Sequence, residues 1–336
     1  MRKTISLMLL LAMLISVFAL GGCSATEDEA LTVSVVVSSA FGDNSYNDAV
    51  KEGADRLLTD YNVKINTLEC KHQDNYKQKL TEAAKISDIV VCVGWHFYEI
   101  TEVSKEFPNT KFIWVDNTVD GIENYPNLLC ITYAQNEGSF LAGYVAGKMS
   151  KTGTIGAVAG EDSPTVNDFL AGYEQGAKYA NPQIKFVKAY IESYEDVEKA
   201  KKSALELYDQ KADIIFHVAG SAGKGVFQAA EEKSFYAIGV DQDQKVSMAE
   251  FDEQIICSMR KDIGSSVYDT VKLLIEKEIW NGGRNWRTDL ANGYVDVTYG
   301  EANSVQLVSE EIKKEEELLT AKIVAGEITV NSTIGQ

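Results

Sequence analysis

Short apolar runs alternate with amphipathic stretches along most of this chain, and this alternation constrains its fold more than any other feature. Ten runs are predicted as strands, at 31–37, 63–68, 89–93, 112–115, 128–133, 154–159, 185–191, 214–218, 236–240 and 255–258. Apolar positions at helical spacing predict helices over 45–61, 76–86, 166–179, 197–208, 225–232 and 263–276. Strands that alternate with helices form parallel sheets covered on both faces. The pattern therefore predicts an α/β protein.

The strand–helix series runs twice, and a length of 336 residues accommodates two domains of ordinary size. We predict two doubly wound, Rossmann-like lobes joined by a hinge of several crossovers. The first lobe is expected to contain 31–133 and about 245–290, and the second 134–244 and about 291–336. In this scheme the strand at 255–258 and the helix at 263–276 extend the first lobe, and the chain returns to the second near Gly293.

The first 23 residues have the plan of an export signal. Arg2 and Lys3 precede an uncharged stretch over 4–20, which is followed by Leu20-Gly21-Gly22-Cys23. This ending resembles the lipobox of bacterial lipoproteins, which predicts a signal peptide at 1–22, a lipid on Cys23 and a polar tether over 23–30. The alternative is an uncleaved anchor helix, for which 17 residues are short of the roughly 20 that span a bilayer. Either reading places the folded body at the cell membrane, on its extracytoplasmic face.

Composition and charge exclude several classes of function. There are 32 Lys and Arg against 50 Asp and Glu, a formal charge of −18, which argues against nucleic-acid binding. The three histidines, His72, His96 and His217, show no metal-binding spacing, so we expect no metal and no cofactor. No Cys-x-x-Cys pair occurs. The cysteines that remain after the predicted cleavage, Cys70, Cys92, Cys130 and Cys257, are expected to be free buried thiols, although a bridge between the last two stays open.

One loop bears on whether the chain is an enzyme. Residues 219–225 follow a strand and open a helix, but they match neither the Walker pattern nor the dinucleotide-binding order of glycines. Ser221 lies in Ala-Gly-Ser-Ala-Gly, close to the nucleophile elbow of hydrolases. In those enzymes the base histidine follows the serine, whereas all three histidines here precede it. We expect a protein that is not an enzyme, and a Ser221 hydrolase is an alternative that a fluorophosphonate probe would test.

Ligands of open parallel sheets bind beyond the carboxyl ends of the strands. With two lobes face to face, the residues after each strand would line a shared cleft. These segments are 38–41, 94–97, 116–117, 161–162, 217–225 and 241–244, and they are rich in aromatic rings and carboxylates. Asp241 and Asp243 could together hold a cation, but one facing the cleft and the other capping a turn is the preferred interpretation.

Several segments resemble the basic membrane protein family, the nucleoside-binding lipoproteins of bacterial ABC importers. The matching segments are Asp43-Asn44-Ser45-Tyr46-Asn47, Asn136-Glu137-Gly138-Ser139-Phe140-Leu141-Ala142-Gly143, Asn181-Pro182, the run over 212–220 and the run over 238–244. They occur in order, with compatible spacing, across about 31 to 300. The resemblance implies the type I periplasmic-binding fold and an interlobe site in which two aromatic rings enclose a purine while carboxylates and a lysine hold the ribose.

The resemblance also implies roles for individual residues. Tyr46 and Phe216 would supply the two stacking rings, Asp116 would read the base, and Asp241 and Lys261 would contact the sugar. The predicted ligand-binding set is Ser38, Tyr46, Asn47, Trp95, Asp116, Phe216, Asp241 and Lys261. Six of these have a structural alternative: Tyr46 and Phe216 as core residues, the aspartates as turn caps, Lys261 as a surface charge and Trp95 as packing beneath a helix. Gly143 and Gly147 are expected to permit close helix packing.

The chain departs from the family at two places. The family usually carries an aspartate directly after the first strand and a Gly-Gly before the S-F-N segment, whereas this chain has Ser38-Ser39 and Ala40-Phe41. A monomeric, lipid-anchored receptor that delivers a nucleoside, preferably a purine nucleoside, to an ABC permease is the first hypothesis. A sensory receptor of the same fold, binding a sugar or a signalling ligand, is the alternative.

Overall fold

A computed structural model describes residues 30–70 and 75–334 of the chain. The predicted signal peptide at 1–22, the lipidation site Cys23, the tether up to residue 29, and His72 lie outside the described residues. The structure therefore neither supports nor opposes those predictions.

Twelve strands and ten helices are formed in the described residues. The strands are β1 (Leu31–Val37), β2 (Val63–Glu69), β3 (Ile89–Val93), β4 (Lys111–Val115), β5 (Leu128–Tyr133), β6 (Thr154–Ala159), β7 (Lys185–Tyr190), β8 (Ile214–Val218), β9 (Tyr236–Asp241), β10 (Ile255–Lys261), β11 (Arg284–Thr288) and β12 (Val295–Thr298). The helices are α1 (Tyr46–Asp60), α2 (Tyr76–Ile86), α3 (Ile100–Glu106), α4 (Gln135–Met149), α5 (Pro164–Ala180), α6 (Val197–Asp209), α7 (Lys224–Lys233), α8 (Gln244–Ser247), α9 (Ile263–Lys277) and α10 (Glu310–Val324).

The strands form two six-stranded sheets of the same design. The first has the order β11-β5-β4-β3-β1-β2 and the second β12-β10-β9-β8-β6-β7. β3 pairs in parallel with β1 and β4, and β8 pairs in parallel with β6 and β9. All five residues of β3 and all five of β8 are buried, as expected for central strands covered on both faces. The predicted architecture of two doubly wound lobes is confirmed.

The strand after residue 245 does not belong to the lobe predicted for it. β10 pairs in parallel with β9 and so extends the second sheet, whereas the sequence analysis assigned 255–258 to the first. The helix that follows was assigned correctly, because α9 packs on α1 in the first lobe. The first sheet instead gains β11, whose largely exposed residues give no apolar run for sequence analysis to detect.

Three crossings of the chain connect the lobes, at the ends of β5, β10 and β11. The first and third are joined by a hydrogen bond from the Ala134 amide to the Thr288 carbonyl at 2.7 Å. At the second crossing, the Asp262 amide donates to the Tyr294 carbonyl at 2.8 Å. The crossings therefore lie side by side and form one hinge. A cleft lies between the lobes on the carboxyl side of both sheets.

Each lobe is braced by a pair of tightly packed helices. In the second lobe, a Cβ on Gly143 would meet the Tyr173 carbonyl, and one on Gly147 would meet the Ala177 carbonyl. The predicted close packing of these two glycines is confirmed. Gly172 and Gly176 of α5 pack closely on α4 in the same way. In the first lobe, the corresponding pair of α1 and α9 touches at Gly53 and Gly264.

The cysteines are free and buried, as predicted: Cys70, Cys92, Cys130 and Cys257 form no disulfide in the structure. Cys130 lies on β5 and Cys257 on β10, so the two belong to different sheets. None of the helices in 30–70 and 75–334 is long and apolar enough to cross a membrane.

Candidate functional site

A cavity of about 510 Å³ lies between the two lobes, beyond the carboxyl ends of the strands. Its volume falls in the range of about 300–1,000 Å³ that is usual for small-molecule sites. Seven of the eight predicted ligand-binding residues line it: Ser38, Tyr46, Asn47, Trp95, Asp116, Asp241 and Lys261. The rule that ligands bind after the carboxyl ends of strands therefore locates the cavity correctly.

Phe216 is the predicted residue that the structure places elsewhere. It is fully buried in β8, and its ring packs on Tyr173 and Phe169 with centroid separations of 5.2 and 6.4 Å. It does not line the cavity. Phe169, near the start of α5, contacts Phe216 and itself lines the cavity. Phe216 therefore occupies the core position that the sequence analysis kept as its alternative.

Tyr194 is a second cavity-lining ring that the sequence analysis missed. It lies in the loop after β7, and its ring rests against Gly160, where any Cβ would overlap it. The Ser221 hydroxyl and the Ala222 amide both donate to the Tyr194 carbonyl, at 2.9 and 3.0 Å. The loop after β7 obeys the same strand-end rule as the other segments, so applying the rule to this edge strand would have found Tyr194.

Lys261 is the cation at the centre of the site. It is 1% exposed, and its Nζ lies 2.6 Å from Asp116 Oδ2 across the cleft. Three rings surround the same Nζ, namely Tyr46 at 4.8 Å, Phe169 at 5.3 Å and Tyr133 at 5.4 Å from the ring centroids. A buried ammonium group is tolerated only with such compensation. Lys261 is therefore not the exposed surface charge that was its structural alternative.

The two aspartates of the site occupy equivalent positions in the two lobes. Asp116 directly follows β4 and Asp241 ends β9, which is the third strand of the second sheet as β4 is of the first. Both have left-handed backbones, with φ of 64° and 65°, a conformation that costs energy in any residue but glycine. Burial raises the pKa of Asp241, while Lys261 and the Ser45 hydroxyl act to lower it.

The start of α1 brings further polar groups to the cavity. The Asp43 carboxylate accepts hydrogen bonds from the backbone amides of Ser45, Asn47 and Asp48 at 2.9–3.1 Å, and so caps the start of the helix. Burial raises the pKa of Asp43 to about 6, against the lowering effect of these three amides. Burial and the nearby Asp116 carboxylate also raise the pKa of Tyr46, so its phenol stays protonated.

Trp95 follows β3 and lines the outer part of the cavity. Its ring stacks on His96 with centroids 4.1 Å apart and an interplanar angle of 25°. Tyr98 contacts Trp95 edge-on at 6.0 Å. Burial lowers the pKa of His96, which keeps its imidazole neutral at pH 7. This rim is therefore an uncharged aromatic surface.

Three polar contacts join the lobes around the cavity. They are the Lys261–Asp116 ion pair, a hydrogen bond from the Ser45 hydroxyl to Asp241 Oδ2 at 2.7 Å, and one from Gln244 Nε2 to the Asn44 carbonyl at 3.0 Å. Gln244 is held in turn because its Oε1 accepts from the Val240 amide at 2.9 Å and lies 2.6 Å from His217 Nε2. The structure thus has the cleft closed.

The residues of the hydrolase alternative have structural roles instead. The Ser221 hydroxyl donates to the Tyr194 carbonyl, so its hydrogen is directed at a backbone oxygen rather than at a base. His217 is fully buried, and burial lowers its pKa to about 4. Asp243 caps α8 and accepts from the Gly300 amide, which leaves only Asp241 facing the cleft, as preferred above. In the part of the chain that the structure describes, no cluster of metal-binding side chains is found.

Comparison with known proteins identifies relatives over nearly the whole chain. A family model, Bmp, described as "ABC transporter substrate-binding protein PnrA-like", matches residues 30–333. Basic membrane protein A of Borreliella burgdorferi is 31% identical over 330 residues, covering 97% of this chain and 95% of the relative. Basic membrane protein D of the same species is 35% identical over 272 residues, covering 78% of each.

Solved structures share the fold. An ABC transporter solute-binding protein from Aeropyrum pernix superposes with a TM-score of 0.80 at 23% identity, covering 90% of this chain and 93% of that one. A protein described as a transcriptional activator of the comK gene, from Bacillus halodurans, superposes with a TM-score of 0.73 at 20% identity, covering 89% and 100%. Likeness at this level of identity supports the architecture and not the ligand.

Proposed function

The chain belongs to the Bmp family of ABC transporter substrate-binding proteins, and from that premise we propose that it is a lipid-anchored receptor that binds a nucleoside in the closed cleft. The preferred ligand is a purine nucleoside, which the receptor delivers to ABC permease subunits for import. The family consists of binding proteins rather than enzymes, so no bond is made or broken in the ligand.

The observation that carries the proposal is the combination of aromatic faces and hydrogen-bond acceptors in one enclosed space. The first lobe contributes the rings of Tyr46 and Trp95, and the second contributes those of Phe169 and Tyr194. Stacking on an aromatic ring favours a flat base by about 1–3 kcal/mol. The carboxylates of Asp116 and Asp241 accept hydrogen bonds, which suits the amino and hydroxyl donors of a nucleoside.

The charge of the lining supports a ligand without a phosphate. Four acidic side chains, Asp43, Asp116, Glu195 and Asp241, line the cavity together with a single lysine. That lysine is already paired with Asp116, so no free cation is available for a phosphate among the described lining residues. A buried phosphate would remain uncompensated, which costs several kcal/mol. The site therefore favours nucleosides over nucleotides.

The amino-terminal sequence and the relatives support the proposed location of the protein at the membrane. The ending Leu20-Gly21-Gly22-Cys23 supports cleavage before Cys23 and attachment of lipid there, outside the described residues. Relatives named basic membrane proteins are consistent with a position at the membrane. The receptor would act as a monomer on the extracytoplasmic face, with the lipid as its anchor. Mass spectrometry of the amino-terminal peptide tests the modification, and an unmodified residue 23 would contradict it.

Isothermal titration calorimetry with inosine, guanosine, adenosine and uridine tests the ligand. At least one purine nucleoside should bind at a 1:1 ratio, and its 5′-monophosphate should bind at least about a hundredfold more weakly. Trp95 fluorescence should change on binding. The absence of binding by all four nucleosides would overturn the nucleoside assignment while leaving the family membership intact.

The sensory alternative keeps a specific observation in its favour. Ser38 and Ser39 line the cavity where the resemblance implies an aspartate, so the polar pattern facing the ligand differs from the family's. A sugar that bound while the nucleosides did not would favour this alternative. A neighbouring gene for a membrane kinase, in place of genes for a permease and an ATPase, would support it further.

A further inference from the structure

Asn47 is the second residue of α1 and lines the cavity, yet it is only 4% exposed. Its side-chain amide nitrogen donates two hydrogen bonds of 2.9 Å, one to the Ser39 hydroxyl oxygen and one to the Ala40 carbonyl. A primary amide has two N–H hydrogens, so these two acceptors use both of them. The donor half of the Asn47 carboxamide is therefore fully occupied by the protein.

The acceptor half of the Asn47 carboxamide, its oxygen Oδ1, differs from the donor half. Asn47 Oδ1 is buried and has no hydrogen-bond partner among residues 30–70 and 75–334. Rotating the amide by 180° would place Oδ1 against the Ala40 carbonyl, with two acceptors facing each other. Because a buried acceptor without a donor is costly, the cavity holds a position at which a donor from the ligand would be strongly favoured.

We infer that Ser39 is a specificity-determining residue: the Ala40 carbonyl sets the orientation of the Asn47 amide and the Ser39 hydroxyl takes its remaining N–H, so that Asn47 is a pure acceptor and the ligand must donate a hydrogen bond at this point. Ser39 directly precedes Ala40 in the segment after β1, and the two acceptors converge on one amide. This inference rests on the proposed function for the chemistry of the donor. That donor is an N–H of the base or a hydroxyl of the pentose.

The first test addresses the fixed amide without any ligand. In side-chain amide NMR spectra of the 15N-labelled protein, the two Asn47 hydrogens should exchange slowly with solvent. Ser39→Ala should accelerate their exchange by about tenfold or more, and Ser39→Thr, which keeps the hydroxyl, should restore slow exchange. Ser38→Ala is the matched control, because Ser38 also lines the cavity but Asn47 does not donate to it. Unchanged exchange in Ser39→Ala would overturn the inference.

The second test uses ligands that each lack one donor. Purine riboside lacks the 6-amino group of adenosine, inosine lacks the 2-amino group of guanosine, and 2′-, 3′- and 5′-deoxyadenosine each lack one hydroxyl. The wild-type protein should bind the analogue that lacks the relevant donor about tenfold or more weakly than its parent. In Ser39→Ala and in Asn47→Ala this preference should fall to about twofold or less, while the other preferences persist.

The pattern of results separates the two proposals. If the preference survives in both variants, the inference is wrong even though nucleosides bind. If the wild-type protein binds no nucleoside, the proposed function fails, and the exchange measurement still decides whether Ser39 fixes Asn47. If the preference that falls in the variants is the one measured with a base analogue, the donor is an N–H of the base. If it is the one measured with a deoxy analogue, the donor is a pentose hydroxyl. Uniform weakening of every ligand would indicate a merely structural role and would contradict the inference.

Discussion

The two lobes share one scaffold but contribute different chemistry to the site. Both sheets have the same strand order, and both place a left-handed aspartate at the end of the third strand. The first lobe supplies Asp43, Asn47 and Asp116, whereas the second supplies the cation Lys261 together with the carboxylate of Asp241. The cation of the second lobe lies against the Asp116 carboxylate of the first, so the charges of the cavity are balanced only when the two lobes are in contact.

The lobes also differ in how their helix pairs are packed. The second lobe has four glycines at the contact between α4 and α5, whereas α1 and α9 in the first meet at Gly53 and Gly264. The edge strands differ as well: β11 runs parallel to β5, but β12 runs antiparallel to β10. A repeated strand order thus does not imply equal tolerance of substitution in the two lobes.

Removing the cation should have the largest effect. Lys261→Met leaves Asp116 and Asp241 without their positive partner in a buried site, where breaking a pair costs about 3–5 kcal/mol. The free energy of unfolding in urea and the ligand affinity should both fall. Adding Asp116→Asn should recover part of the loss, and Lys261→Arg, which keeps the charge, should lose less. If Lys261→Met matches the wild-type protein in both measurements, the two lobes do not depend on each other's charges.

Helix packing should give the next largest effect. The Cβ introduced by Gly176→Ala would meet the Phe140 backbone carbonyl, and overpacking of this kind costs about 1–3 kcal/mol. Gly53→Ala is the matched variant in the first lobe, where it meets the Gly264 carbonyl. Thermal unfolding should show the greater loss for Gly176→Ala, because α4 and α5 touch at more points and have less freedom to separate. Equal losses would remove this distinction between the lobes.

The pH dependence of stability should reflect Asp43, a half-buried acid of the first lobe. Its pKa is raised from 3.8 to about 6 on folding, so the folded state holds this proton more tightly than the unfolded state does. Its contribution is fully present below about pH 4 and is lost as the pH rises through 6.

Urea unfolding at pH 4 and pH 6.5 measures this contribution. The wild-type protein should lose about 1–2 kcal/mol more than Asp43→Asn over this interval, a value reduced because Asp43 is only half-buried. Asp243→Asn serves as the comparison from the second lobe, since burial raises the pKa of Asp243 as well. Identical pH profiles of the unfolding free energy for the wild-type protein and Asp43→Asn would contradict a raised pKa of Asp43.

The smallest effect is expected at Ser221. Ser221→Ala removes one of two hydrogen bonds to the Tyr194 carbonyl, and the Ala222 amide retains the other. The loss in unfolding free energy should be about 0.5–1.5 kcal/mol, with ligand affinity lowered by less than about tenfold. A fluorophosphonate probe should label neither the variant nor the wild-type protein. Labelling of the wild-type protein alone would revive the hydrolase hypothesis.

Most of the scaffold could be predicted because burial leaves a strong pattern in the sequence. The central strand β3 is a continuous apolar run and β8 is apolar except for His217, and the limits of both match the prediction. The edge strand β11 could not be found this way, since four of its five residues are exposed or half-exposed. The lobe to which β10 belongs depends on long-range pairing with β9, which no local pattern encodes.

The site was predictable where a residue directly follows a strand, and less so elsewhere. Asp116 and Trp95 follow strands and line the cavity as expected. Phe216 lies within a strand whose every residue is buried, so its sequence gave no sign of which face it occupies. Its ring faces α5, and Phe169 from that helix reaches the cavity instead. A rule based on strand ends does not include helix residues such as Phe169, which line the cavity as well.

The contacts that hold the cleft shut have a consequence for the proposed import function. The Lys261–Asp116, Ser45–Asp241 and Gln244–Asn44 pairs are all made between protein groups. The ligand therefore does not supply all of the free energy of closure. We expect the receptor to be closed for part of the time even when no ligand is bound. In the proposed import function, such closed, empty molecules would occupy the permease without delivering a ligand, so we expect uptake at low ligand concentration to slow when the receptor is in excess. Reopening must also rehydrate an ammonium and two carboxylates, a step that the proposed permease and its ATPase would have to drive.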